Sequence, residues 1–184
     1  MGDELRKRGT RVEISAGLLA FRRTPALEVL LAHPGGPFWA KKDDGAWTIP
    51  KGLAEADADL LATARREFTE ETNLNAAGAF IPLAPVKQKS GKVVHAWAFE
   101  ADLRLDSFVS NTFEMDWPPR LPARERVFGS APIGVTTCAK SGRRRSFPEI
   151  DRIAYFSMPV AMTKIVPYQQ PLLVELQAKI EHEH

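Results

Sequence analysis

A single cysteine, Cys138, rules out an internal disulfide, and no cluster of Cys and His has the spacing of a zinc site. No apolar run approaches the ~18 residues that a membrane-spanning helix requires; the longest, such as Ala16–Phe21, suit single buried strands. The first residues, Met1–Arg8, are charged and lack the apolar centre of a secretory signal. Internal repeats and low-complexity tracts are also missing. These absences set aside disulfide scaffolds, membrane spans and zinc modules, and lead us to expect a soluble, cytoplasmic chain. What is present is ordinary for a globular protein: 184 residues, 44% hydrophobic and 26% charged. That length predicts one domain over residues 1–184.

The net charge of +2 conceals an asymmetry. Between Arg120 and Arg145 stand seven basic residues (Arg120, Arg124, Arg126, Lys140, Arg143, Arg144 and Arg145) against one acidic residue, Glu125. The same region carries Pro118, Pro119, Pro122, Pro132, Gly129, Gly134 and Gly142 and shows no sustained periodicity. It reads as a basic, Pro/Gly-rich loop inserted at about residues 118–146. A long connection of this kind is a solvated loop or a contact for a polyanion such as a polyphosphate or nucleic acid.

Val12–Phe21 and Leu27–His33 are short, β-branched or leucine-rich runs separated by Pro25, and are expected to be buried strands of one sheet. Lys92–Asp102 alternates, with Val93, His95, Trp97 and Phe99 on one face; Ser90-Gly91 supplies a turn and Val86–Lys89 a hairpin partner. Arg152–Ser157 reads as a further strand. Ala58–Asn73 has helical periodicity, with Leu60, Leu61, Ala64 and Phe68 forming its apolar stripe. Asp57 is its expected N-cap, and Asn73 its expected left-handed end. Pro159–Val166 suits a short helix, and Leu172–Glu181 a longer one with Pro171 in its first turn. The fold class is α/β, a mixed β-sheet with flanking helices.

The first helix carries Arg66-Glu67-Phe68-Thr69-Glu70-Glu71. Residues three and four apart share a helix face, so Glu67, Glu70 and Glu71 are expected to crowd together with Arg66 as the nearest relief. Such a cluster is either an acidic solvated face or a seat for a hard divalent cation such as Mg²⁺ or Mn²⁺. The preceding turn, Trp47-Thr48-Ile49-Pro50-Lys51-Gly52, favours the second reading. Gly52, Arg66-Glu67-Phe68, Glu70-Glu71 and Asn73-Leu74 stand at fixed spacings across 23 residues, and this pattern resembles the Nudix box. Two positions depart from it. Ala58 replaces the first glutamate of the box, and Asn73 its second glycine. Asparagine is the non-glycine residue that best tolerates positive φ, so the second change is mild.

The resemblance implies a Nudix α/β/α sandwich and a metal-dependent pyrophosphohydrolase that cleaves a nucleoside diphosphate from another moiety. It implies Glu67, Glu70, Glu71 and the Gly52 carbonyl as metal ligands, with Mg²⁺ the expected ion and Mn²⁺ a substitute. Arg66 would orient Glu67. The general base is left among Glu67, Glu71, Glu114 and Glu149; Glu149 follows Pro148, as in Nudix enzymes that act on dinucleoside polyphosphates and RNA 5′ ends. Substrate contacts are expected outside the box, from Lys51, Trp39 and Arg144, with Phe38, Trp97, Trp117, Lys41 and Lys42 as further surface candidates. For each of these aromatics core packing is the reading to be preferred over stacking, and for His95 a half-buried strand face over a catalytic role. The expected partner is a nucleoside polyphosphate of the diadenosine tetraphosphate or nucleoside triphosphate type. The alternatives are an RNA 5′-pyrophosphohydrolase and a non-catalytic nucleotide sensor. No membrane partner is expected.

Overall fold

The computed structural model describes residues 12–23, 25–118 and 143–182. Its central strand, β1 (Ile14–Arg22), is buried from Ser15 to Phe21 because both faces are covered. Alternation sends Ala16, Leu18 and Ala20 to one side and Leu19 and Phe21 to the other, so one strand serves two cores. β1 pairs in parallel with β5 (Val93–Glu100), and β4 (Ile81–Lys87) completes the expected hairpin with β5. Gly91 in the connecting turn has a φ of 93°, where a side chain would be strained.

On its other edge β1 has two neighbours. Its final residues pair antiparallel with β2 (Glu28–Pro34), and its first half pairs antiparallel with β3 (Lys51–Leu53). β2 in turn runs antiparallel to β8 (Ile150–Ser157), giving the order β4-β5-β1-β2-β8 with β3 beside β1. The helix α1 (Leu60–Thr72) covers one face of the sheet through Ala64 and Phe68, with Phe68 edge-on to Phe99 at 5.4 Å. The helices α2 (Met158–Lys164) and α3 (Gln170–Glu181) cover the other face through Met158, Ala161, Leu172, Leu173, Leu176 and Ile180. This is the expected α/β/α arrangement.

Two expectations are corrected. The N-cap of α1 is Asp59, whose side chain accepts from the N–H groups of Leu61 and Ala62; Asp57 instead takes a turn conformation with φ of 64°. The capping carboxylate must sit one residue before the first helical position, and α1 begins at Leu60, not Ala58. The basic stretch is also not wholly a loop. Arg143–Pro148 forms β7, which pairs antiparallel with β6 (Thr112–Trp117) as a separate two-stranded sheet. Arg120, Arg124, Arg126, Lys140 and Cys138 lie outside the described residues. Among the described residues, no helix is long and apolar enough to cross a membrane.

Candidate active site

The site is built where β3 meets α1. Packing of Ala64 and Phe68 onto the sheet leaves Glu67 and Glu71, one helical turn apart, beside β3. A Cβ at Gly52 would fall on the Glu67 carboxylate, so the glycine is required by close approach. The Lys51 N–H donates to Glu71 Oε2 at 2.9 Å. Arg66 bridges outward, with one guanidinium nitrogen 2.5 Å from Glu67 Oε1 and another 2.8 Å from Glu70 Oε2. The three carboxylates are thus divided. Glu67, whose side chain is 15% exposed, and Glu71 turn to the strand, while Glu70, at 46%, turns to Arg66 and solvent. Among the described residues no three His, Cys, Asp or Glu side chains are gathered closely enough to hold a metal ion between them.

Burial, with smaller help from the charges of Glu67 and Glu149, holds the Glu71 carboxyl up at about 7. The Lys51 ammonium and backbone N–H oppose that rise without cancelling it. Burial likewise lowers Lys51, against the attraction of Glu71. Glu149, distant in sequence, therefore belongs to the same electrostatic neighbourhood. It is exposed and sits in the bend between β7 and β8. Its N–H donates to the Asn111 carbonyl and its carbonyl accepts from the Gly35 N–H, both at 2.8 Å. Gly35 has no room for a Cβ because the Pro148 carbonyl occupies that space. The bend is pinned from two sides, and its carboxylate is left without a hydrogen-bond partner among the described residues.

The remaining candidates are distributed as follows. Glu114, on β6, pairs with Arg144 on β7 at 3.2 Å, and both are exposed. Trp39 is partly buried with the Lys42 ammonium 4.4 Å from its ring centre. Trp97 packs against the α1 core, and His95 is partly buried on β5.

Two groups escaped the sequence reading. His33 is fully buried on β2, with Nδ1 2.7 Å from Asp151 Oδ1 and Nε2 2.8 Å from the Lys42 carbonyl. It joins the start of β8 to the loop that carries Trp39. The same loop is held by Trp47 Nε1, which donates to Asp43 at 2.8 Å, and by Lys164, which reaches Asp43 and Asp44 at 2.6 Å each. Gln169 is also fully buried; its carbonyl oxygen accepts from the Ile49 N–H and the Thr48 hydroxyl at 3.0 Å each. That grip fixes the chain two residues before Lys51. The sequence signalled His33 only as a polar residue at the end of an apolar run, and Gln169, beside Gln170, not at all.

The arrangement suits a hard cation. Glu67, Glu71 and the Gly52 carbonyl are all oxygen donors. A carboxyl held near 7 by burial gains most when a divalent charge replaces its proton.

Residues 13–120 match the family model described as the NUDIX domain. No curated protein matches the sequence. Among solved structures, an Ap4A hydrolase from C. elegans is similar at a TM-score of 0.56 and 18% identity, covering 91% of this chain and 98% of its own. A putative NUDIX hydrolase from Listeria monocytogenes is similar at 0.56 and 15%, covering 92% and 95%. The NUDIX domain of Shewanella oneidensis NrtR, complexed with ADP ribose, is similar at 0.54 and 14%, covering 95% and 91%. At these identities the likeness concerns the fold.

Proposed function

This chain belongs to the Nudix family, hydrolases of pyrophosphate bonds that generally need a divalent metal, and we propose that it cleaves nucleoside polyphosphates with Mg²⁺, favouring dinucleoside polyphosphates or nucleoside triphosphates. The observation that carries the reading is the Glu67/Glu71 pair drawn against β3, with Gly52 vacated for one carboxylate and the Lys51 N–H holding the other. Glu67, Glu71 and the Gly52 carbonyl would hold the ion, with Glu70 contributing through water. When bound, the metal would neutralise charge on the bridging phosphate oxygens and acidify the attacking water.

The chain's own residues do the rest. Arg66 fixes the orientation of Glu67 by a charge-assisted hydrogen bond and keeps Glu70 nearby. Glu149, exposed and electrostatically coupled to Glu71, is the proposed base that takes the proton of the attacking water; Glu67 and Glu71 are the alternatives inside the box. Lys51 and Trp39 are the proposed first contacts of substrate phosphate and base. Arg144 is a proposed outer contact that must exchange its Glu114 partner for phosphate.

The leaning to long anionic substrates rests on Pro148-Glu149 and the arginines of β7. Those arginines also support RNA 5′-pyrophosphate hydrolysis as a second reading. Ala58, in place of the first box glutamate, supports a third, nucleotide binding without turnover. The test is incubation with Mg²⁺ and a panel of nucleoside triphosphates, diadenosine polyphosphates, nucleotide sugars, NADH and 5′-triphosphate RNA, with products separated by chromatography. Metal-dependent cleavage of a small nucleotide that is insensitive to salt supports the first reading. Cleavage of RNA alone, falling steeply with salt, supports the second. Nucleotide binding without cleavage supports the third.

A further inference from the structure

The β6–β7 hairpin has two unlike faces. In an antiparallel pair, directly opposed residues share a face, and the register opposes Phe113 to Phe147, Met115 to Arg145 and Trp117 to Arg143. One face therefore carries three aromatic rings, a methionine and two arginines. The other carries Glu114, Asp116, Arg144 and Ser146, and its charges are partly spent on the Glu114–Arg144 pair. On the first face Arg143 and Arg145 are exposed and have no acidic partner among the described residues. Phe147 lies 6.1 Å from Phe113 and 6.4 Å from Trp117, centre to centre. Phe38, from the loop after β2, stands edge-on to Trp117 at 5.5 Å and is 55% exposed. Gly36 in that loop lies so close that a Cβ would touch Phe113.

Rings left partly in solvent beside guanidinium groups that have no acidic partner among the described residues are costly for stability and useful for a ligand with a flat aromatic part and negative charge. The position of the face identifies which ligand. β7 ends at Pro148, one residue before Glu149, whose carbonyl accepts from the Gly35 N–H; from there β8 pairs with β2, and β2 holds Thr48, three residues before Lys51, through Ala32. At about 3.3 Å per residue, Arg145 lies on the order of 13 Å along the strand from Glu149, and Arg143 on the order of 20 Å.

We propose that this hairpin face binds the far half of the substrate, with Trp117, Phe38 and Phe147 offering a stacking surface to a nucleobase and Arg143 and Arg145 neutralising the phosphates leading to it. The proposal rests on the nucleoside polyphosphate reading above and sharpens it. A nucleobase stacked on Trp117, opposite Arg143 and so on the order of 20 Å along the strand from Glu149, leaves room for a second nucleoside at the box, and the face therefore suits dinucleoside polyphosphates better than mononucleotides. It also distributes the arginines by register: Arg143 and Arg145 serve the stacking face, whereas Arg144 serves the other.

The test uses the full chain with Trp117→Ala and with Arg143→Glu/Arg145→Glu, the latter confined to exposed positions so that folding is preserved. Lys179→Ala, on α3 across the sheet, is the control. KM and kcat are measured with diadenosine tetraphosphate and with ATP in Mg²⁺, and diadenosine tetraphosphate binding by calorimetry in EDTA. We expect at least a tenfold rise in KM for diadenosine tetraphosphate in both variants, kcat within about twofold, a smaller effect on ATP, and binding weakened in parallel. Turnover with KM and binding unmoved in both variants overturns the clamp while leaving hydrolysis standing. Binding that is sensitive to both variants without any turnover keeps the clamp and removes the hydrolytic reading. No binding of diadenosine tetraphosphate by the unaltered chain overturns the clamp outright.

Discussion

Replacing Glu71 by glutamine should stabilise the metal-free protein at alkaline pH. In the fold the Glu71 carboxyl is raised from 4.5 to about 7, chiefly because it is buried. A raised carboxyl binds its proton more tightly in the folded chain than in the unfolded one. Stability contributed by that proton is therefore present at low pH, is lost progressively between about 4.5 and 7, and is gone above 7. At roughly 1.4 kcal/mol per pH unit the ceiling is about 3 kcal/mol; allowing for the solvent that reaches this partly exposed residue, we expect about 1–2 kcal/mol. Glutamine keeps an oxygen for the Lys51 N–H and carries no charge. The assay is thermal unfolding in EDTA at pH 5 and pH 8. Glu71→Gln should melt about 3–6 °C above the unaltered chain at pH 8, with the gap narrowing at pH 5. Adding Mg²⁺ should reverse the order at pH 8, since only the carboxylate gains from the ion. A variant less stable by the same amount at both pH values would refute the reasoning.

Gly52→Ala should reduce turnover at least 100-fold while shifting the melting temperature by only a few degrees, because the new methyl displaces the end of a flexible glutamate rather than backbone; turnover and circular dichroism melting check it. Gln169→Leu should cost about 1–3 kcal/mol in urea unfolding by leaving the buried Ile49 N–H without an acceptor, and should lower kcat by loosening the approach to Lys51 and Gly52. His33→Ala should cost about 2–4 kcal/mol in the same assay, since it removes a fully buried ring and both of its hydrogen bonds.

The sheet and its helices were legible wherever burial imposed a period. β1 and β2 declared themselves as unbroken apolar runs, α1 by its Leu60/Ala64/Phe68 stripe, and the β4–β5 hairpin by Ser90-Gly91. The box was legible because its side chains lie on one helix and the strand just before it. Contacts between distant segments were not. Thr112–Trp117 alternates as a strand should, but its partner β7 lies beyond a Pro/Gly-rich connection that read as one loop, so the division of the three arginines between two faces stayed hidden. His33 and Gln169 find their partners 118 and 120 residues away. The spacing on α1 predicted that Glu67, Glu70 and Glu71 crowd together, and the structure divides them. Spacing could not show that β3 draws in the first and last while Arg66 draws the middle one outward, because that depends on a strand packing beside the helix.

The central claim is that Glu67 and Glu71, gathered against β3, hold a divalent ion. Binding of Mn²⁺, followed by the loss of its free-ion electron paramagnetic resonance signal, tests this without reference to substrate. The unaltered chain should bind saturably, and Glu67→Gln and Glu71→Gln should each weaken binding at least tenfold while remaining folded. Equal Mn²⁺ binding by all three proteins would contradict the account.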